Sequence, residues 1–425
     1  MTDELSNEPL RAPTGTHDLL PGASARWIAL LGVFASLAER SGFGLIHTPL
    51  FEDVRLFRRG VGTETEVVGK EMYEFTDRGG RAMALRPEGT ASVVRAFIQH
   101  HPIPPFRAWY ATPTFRYERP QAGRYRQHHQ VGVEVLGIAD ADVDVEVLAL
   151  ANDYLKGLGL IGYTLRLNSL GDGECRPQYL ASLREYLGAN QDSLCDEHKD
   201  KITTNPLRIL DCKNERCKAV SADAPTMNDA LCADCADHFT RVKAGLDAQK
   251  IEYFFDAKLV RGLDYYTRTT FEITLDLGEG ELTILGGGRY DGLVEVLGGA
   301  PTPGIGFGSG IERVLLACDR QEVFAVEPPA PLAYIVDTTD GASARDLVAQ
   351  LRNEGLFVER AYGNRSMKSQ FKTADRSGAR FALVIGDREV ADETITIRDL
   401  RGGGDQVVVA RDTLLTSLRE LAAKN

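Results

Sequence analysis

Residues 115–130 read FRYERPQAGRYRQHHQ, with four arginines (Arg116, Arg119, Arg124, Arg126) around one glutamate, Glu118. Guanidinium forks match phosphate oxygens, often two at a time. When a carboxylate attacks the α-phosphorus of ATP, the nucleophile is already ionised and needs no general base. The step needs cations for the charge building on phosphoryl oxygens, and in-line positioning. Arginines along two strands and their loop could surround a bent triphosphate, with the glutamate taking the adenine amino group or helping to hold Mg²⁺. A solvated surface hairpin would read the same way.

Two further stretches carry chemistry. In LVRGLDYYTRTTFE (259–272), Arg261 precedes Gly262, Asp264 and the pair Tyr265–Tyr266. Neighbours on a regular strand face opposite sides, so both tyrosines reach one pocket only if the glycine opens a turn. The alternative is a core strand with aromatic packing. In GIGFGSGIERV (304–314), glycines let a backbone approach a flat ligand. Arg313, on the helix that follows, could stack on a purine; a glycine-rich packing turn is the plainer reading.

The elements around these residues follow from periodicity. Residues 24–41 carry Trp27, Leu30, Leu31, Phe34 and Leu37 at helical spacing. RAMALRPEGTASVVRAFIQHH runs from strand to helix, with Thr90 as N-cap. The opening stretch becomes two antiparallel strands joined by a polar loop. A helix follows near 142–158, and from about 175 to 250 charged helical segments with most of the cysteines form an insertion. Strands resume to 310. EPPAPLA (327–333) is a linker, with strand–helix alternation beyond it. The fold class is therefore an antiparallel sheet flanked by helices with a helical insertion (1–326), a linker (327–331), and an α/β domain with a mainly parallel sheet core (332–425).

The 425-residue chain carries a formal charge of −12 and seven cysteines. Sparse, odd-numbered cysteines fit a reducing compartment better than a disulfide scaffold. No apolar run is long enough to span a membrane, and MTDELSNEPLRAP is not a signal peptide; a cytoplasmic location is expected. There is no G-x-x-x-x-G-K-[ST], H-E-x-x-H or G-x-S-x-G, and GIGFGSG does not satisfy G-x-G-x-x-G. A nucleotide would have to be held another way.

Together, the three stretches resemble motifs 2 and 3 of the class II aminoacyl-tRNA synthetases, and RGLDYYT resembles the signature of the histidyl-tRNA synthetase family. PTGTHDLLPG, RPEGT (86–90), TNPLRILDCK (204–213) and GGGRYDGL (286–293) are similar to that family too. The likeness runs almost end to end. It implies activation of L-histidine with ATP and Mg²⁺, then transfer to tRNA(His). It implies catalytic roles for Arg116 and Arg261, the latter beside the reacting carboxylate and phosphate. Arg116 would hold the α-phosphate, Glu118 would meet the adenine, Arg124 would lie near the γ-phosphate and Arg313 would stack on the base. His128 stands where relatives usually carry phenylalanine, so weaker or pH-sensitive ATP packing is expected. The histidine pocket would use Glu88, Gly89, Thr90, Arg116, Gln130, Glu134, Arg261, Tyr265 and Tyr266. Arg119 and Gln121 would face the tRNA acceptor end. HTPLFED, with Pro49, resembles motif 1, which implies a homodimer. A rival reading, a non-catalytic paralogue from histidine biosynthesis, typically lacks RGLDYYT and the C-terminal domain, both of which are present.

Lys368, Lys372, Arg376 and Arg380 recur every fourth residue, which on a helix makes a basic stripe. A solvated face is the ordinary reading; in the domain the family uses for the anticodon stem, tRNA contact is the other. Cys195 and His198, then Cys212, Cys217, Cys232 and Cys235, could supply a structural zinc site, with Cys212, Cys217, Cys232 and Cys235 as the candidate set. Free or packed thiols are the alternative.

Overall fold

The structure is a computed structural model and describes residues 9–63, 65–278, 280–363, 365–403 and 406–423. Residues 1–8 of the polar N-terminal stretch lie outside the described residues. The chain divides into two compact units, Met1–Val326 and Glu327–Asn425.

In the first unit the strands are β1 (Gly44–Leu45), β2 (Phe51–Asp53), β3 (Glu74–Thr76), β4 (Ala82–Leu85), β5 (Phe106–Phe115), β6 (Gln127–Leu136), β7 (Thr164–Ser169), β8 (Phe254–Phe255), β9 (Thr267–Asp276), β10 (Glu281–Arg289) and β11 (Gly304–Gly310). Among the described residues the main sheet runs β1-β5-β6-β11-β10-β9-β7-β8, antiparallel except for the pairs β1/β5 and β7/β8. β2, β4 and β3 form a small separate sheet.

Period-2 alternation assigns the sheet's two faces. On β6, Val131, Val133 and Val135 enter the core; Ile305 and Phe307 of β11 and Phe271, Ile273 and Leu275 of β9 do the same. Helices Ala23–Arg40 and Ala141–Gly157 cover that face, with Leu30, Phe34 and Tyr154 buried against it. The intervening residues, Gln130 and Glu134 on β6, the even-numbered glycines of β11 and Glu272 on β9, share the other face. Register brings them together: Glu134 is opposite Gly306, Gln130 opposite Gly310, and Glu272 opposite Gly286.

The insertion contains helices Arg176–Ala189, Glu215–Ala222 and Ala233–Ala248 and several single turns. It has its own apolar cluster around Tyr179, Leu183, Leu187, Ile209 and Met227.

The second unit contains β12 (Ala333–Asp337), β13 (Val358–Arg360), β14 (Phe381–Ile385), β15 (Thr394–Asp399) and β16 (Val407–Ala410), in the order β13-β12-β14-β15-β16. The first three are parallel and the last two antiparallel. Lys368, Lys372 and Arg376 are exposed on helix Met367–Arg376. Arg380 is not part of that stripe: it lies beyond the helix and donates to the carbonyls of Leu421 and Ala422 at 2.8 and 2.9 Å.

Candidate active site

Two cavities open on the polar face of the main sheet. The larger, about 670 Å³, is lined by Arg116, Glu118, Arg124, Arg261 and Arg313, and on its far wall by residues of the insertion. The smaller, about 150 Å³, shares those five residues and adds Gly123, Tyr125, His128, Gln130, Gly286 of β10 and Gly308 and Gly310 of β11.

The arginines are placed by backbone carbonyls. Arg116 Nε donates to Pro87 O at 2.9 Å. Arg313 donates through Nε to Gly123 O at 3.1 Å and through Nη1 to Thr283 O at 3.0 Å, fastening the loop between β5 and β6 to β10. Neutral carbonyls fix direction without cancelling charge. Burial holds Arg313 below the usual arginine range, and the neighbouring guanidiniums of Arg124 and Arg116 add to the effect. Among the described residues the Arg124 guanidinium has one weak partner, Glu118, at 3.7 Å. Like charges held together in a cavity give it a positive potential.

Arg261 is compensated differently. It pairs with Glu272, which sequence reasoning missed, and its guanidinium lies 5.6 Å from the centre of the Tyr266 ring. The pair needs Gly286: a β-carbon there would collide with the Arg261 guanidinium. Glu272 was legible only as a carboxylate in the middle of a strand otherwise rich in threonine and apolar residues.

RGLDYYT is neither a core strand nor a regular turn of helix. Residues 261–266 are irregular and enter β9 at Thr267. Tyr265 and Tyr266 are therefore both buried on one side, ring centres 4.6 Å apart.

Behind the cavities lies a buried polar cluster. Glu134 is fully buried; its Oε1 accepts from Thr90 Oγ1 at 2.7 Å and from the Tyr110 hydroxyl at 3.4 Å, and Oε2 accepts from Tyr290. Burial pushes its pKa up to about 8, against the opposing pull of the Tyr290 and Thr90 hydroxyls. Gly306 makes the room, since a β-carbon there would collide with the Glu134 carboxylate. Tyr110 and Tyr290 were also missed from sequence. Next to Tyr290 in the chain, the buried Arg289 guanidinium pairs with Asp144, itself bonded to His238 at 3.0 Å. Arg289 is thus a structural residue of GGGRYDGL.

Glu88 behaves unexpectedly. Its two oxygens accept from the backbone N–H groups of Thr90 and Ala91 at 2.7 and 2.8 Å, at the start of helix Thr90–His100. It performs the capping expected of Thr90, which frees the Thr90 hydroxyl for Glu134. Burial still raises its pKa. Gly89 is the N-cap residue.

His128 and His129 part as strand neighbours must. His128 lines the smaller cavity; His129 bonds Glu312 at 2.8 Å and meets Trp27 edge-on. Burial, then the Arg116 and Arg313 charges, lower the His128 pKa to about 3. Its ring is neutral at physiological pH, so the pH sensitivity expected there is confined to acid. Arg119 and Gln121 are exposed at the tip of the loop, where Gln121 bridges Arg124.

The candidate zinc set is not brought together. Cys212 and Cys217 group with Cys195 and His198, whereas Cys232 and Cys235 group with Asp172 and Cys175. The loose spacings between the pairs in sequence gave no means to choose between these groupings.

The family model Histidyl-tRNA synthetase matches residues 15–314, and the Anticodon binding domain model matches 333–421. The histidine–tRNA ligase of Desulforamulus reducens is 46% identical over 409 residues, covering 95% of this chain and 97% of the relative. That of Anaeromyxobacter dehalogenans is 46% identical over 413 residues, covering 96% and 98%. Among solved structures, the apo histidyl-tRNA synthetase of S. aureus superimposes with a TM-score of 0.82 at 35% identity, covering 97% of this chain and all of that one. With the arginine-lined cavity and the buried Glu134 cluster set in the same two-part architecture, matched nearly end to end, this chain belongs to the histidyl-tRNA synthetase family.

Proposed function

We propose that the chain activates L-histidine with ATP to histidyl-adenylate, releasing pyrophosphate, and then transfers histidine to the 3′ end of tRNA(His), releasing AMP. The observation that carries this reading is the convergence of Arg116, Arg124 and Arg313 on one cavity, with Arg261 joining it to the buried polar cluster. Arg116 holds the α-phosphate, Arg124 the γ-phosphate, and Arg313 and His128 flank the adenine, whose amino group meets Glu118. Bound with ATP, Mg²⁺ would supply charge that screens the phosphates. Glu71 on the cavity wall would suit it, since burial and the nearby Glu118 charge raise the Glu71 pKa, a repulsion that a divalent cation would relieve.

The histidine carboxylate attacks the α-phosphorus in line, and pyrophosphate leaves. Arg261 and Arg116 offset the repulsion between the approaching anions. Glu134, with Thr90, Gln130, Tyr265 and Tyr266, reads the imidazole; Glu88 and Gly89 shape the pocket by fixing Thr90. Because Glu134 is fully buried, histidine opens this cluster as it binds.

Exposed Arg119 and Gln121 suit the acceptor end of tRNA, and exposed Lys368, Lys372 and Arg376 suit the anticodon stem. Exposed Leu50, Phe51 and Phe75 on and beside the small sheet give an apolar face suited to an isologous homodimer contact. No described helix is long and apolar enough to cross a membrane, which accords with a cytoplasmic enzyme. ATP–pyrophosphate exchange with each amino acid in turn tests the reading: exchange should require histidine, and equal exchange with another amino acid refutes it.

A further inference from the structure

Three cysteines and a histidine from separate turns of the insertion converge. Cys195 precedes the turn Asp196–Lys199 that carries His198, Cys212 follows Leu207–Leu210, and Cys217 lies in helix Glu215–Ala222. Cys195 Sγ is 3.0 Å from His198 Nδ1, 3.4 Å from Cys217 Sγ and 4.0 Å from Cys212 Sγ; all four ligand atoms lie within 4.8 Å of one another. Zinc with Zn–S bonds of about 2.3 Å and Zn–N bonds of about 2.0 Å has tetrahedral edges of about 3.5–3.8 Å, so the cluster has the size of a zinc shell. Backbone N–H groups point at two of the sulfurs: Cys195 N to Cys217 Sγ and Asn214 N to Cys212 Sγ, both 3.4 Å.

The geometry points to a structural zinc site on Cys195, His198, Cys212 and Cys217. Binding Zn²⁺ releases three thiol protons to solvent, while His198 ligates through Nδ1 as neutral imidazole, leaving a net charge of −1. No position stays open for water, so the role is structural. The ion ties together residues 195–217, and within that span His198, Lys201 and Asn205–Arg208 line the larger cavity. Zinc would therefore brace the cavity's outer wall. The neighbouring cluster of Asp172, Cys175, Cys232 and Cys235 is the weaker candidate, because Asp172 is already engaged by Glu174 N at 3.0 Å and Arg268 at 3.2 Å.

The test is elemental analysis of the full chain, expressed with zinc and purified without chelator. At least one zinc per chain is expected. Cys212→Ser, at a partly exposed position, should lower the content by one, and Cys232→Ser should not remove that ion. X-ray absorption on the unaltered protein gives a reading that does not depend on variants folding: about three sulfurs at 2.3 Å and one nitrogen at 2.0 Å, with the outer-shell scattering of an imidazole. Three results overturn the proposal. One is zinc below about 0.1 per chain in folded protein. Another is a metal shell without imidazole. The third is a zinc ion lost in Cys232→Ser but kept in Cys212→Ser.

Discussion

Arg261 and Glu272 meet in the space left by Gly286, an ion pair at the edge of the cavity that holds the other arginines. The carboxylate fixes the guanidinium before substrate arrives, and a preorganised donor costs no reorganisation in the transition state. Removing one such donor typically costs on the order of 10²–10³ in rate. Arg261→Ala should slow single-turnover adenylate formation by about that factor, with a smaller change in KM for ATP. Transfer from preformed adenylate should suffer less, since no two anions approach in that step. Activation within a few fold of the parent enzyme would make Arg261 a structural residue.

Glu134 sets a pH dependence for histidine binding. With its pKa at about 8, Glu134 holds its proton at neutral pH, and free imidazole, with a pKa near 6.5, does not. The pair then carries one proton, which either partner can use to bridge the other. Below about 6.5 both groups are protonated; above about 8 both are bare. Histidine affinity should peak between these limits and fall about tenfold per pH unit on either side, measured by calorimetric titration. Glu134→Gln should flatten the alkaline limb and raise KM for histidine more than for ATP. A reverse order of effects takes Glu134 out of the histidine site.

His128 should contribute no pH dependence between 6 and 8, because its pKa of about 3 keeps it neutral throughout. His128→Phe should leave the shape of the KM(ATP) profile unchanged over that range. A profile that loses an inflection near 6.5 on this substitution contradicts the buried, cation-flanked placement.

Gly306→Ala tests the room made for Glu134. The new methyl would collide with the Glu134 carboxylate and the β6 backbone. Overpacking of this kind typically costs about 1–3 kcal/mol. Denaturant unfolding should show a loss in that range or above, and histidine KM should rise. A neutral effect on both would mean the carboxylate has another place to go.

The triple change Lys368→Ala, Lys372→Ala, Arg376→Ala alters only exposed side chains on one helix. It should leave histidine-dependent exchange intact, raise KM for tRNA, and weaken the salt dependence of charging. Unchanged charging at all salt concentrations removes the stripe from the tRNA interface.

What the sequence determined by itself is local. Period 2 on β6 separated Val131, Val133 and Val135 from Gln130 and Glu134, whereas the bend that turns both Tyr265 and Tyr266 inward was only one of two readings of RGLDYYT. The arginines of 115–130 were legible as four like charges in sixteen residues of an acidic chain, which a solvated hairpin would show as well; their convergence on one cavity belongs to the fold. Strand register and the packing of distant loops belong to the tertiary structure. Tyr290 reaches Glu134 from 156 residues away, and Glu272 finds Arg261 because β9 and β10 pair with Glu272 opposite Gly286. The cysteines divide into two groups, and Glu88 takes the capping role expected of Thr90. Alternation tells which face a side chain joins. The partner it meets there is set by long-range hydrogen-bonded registers and by where glycine leaves space, which no spacing along the chain encodes.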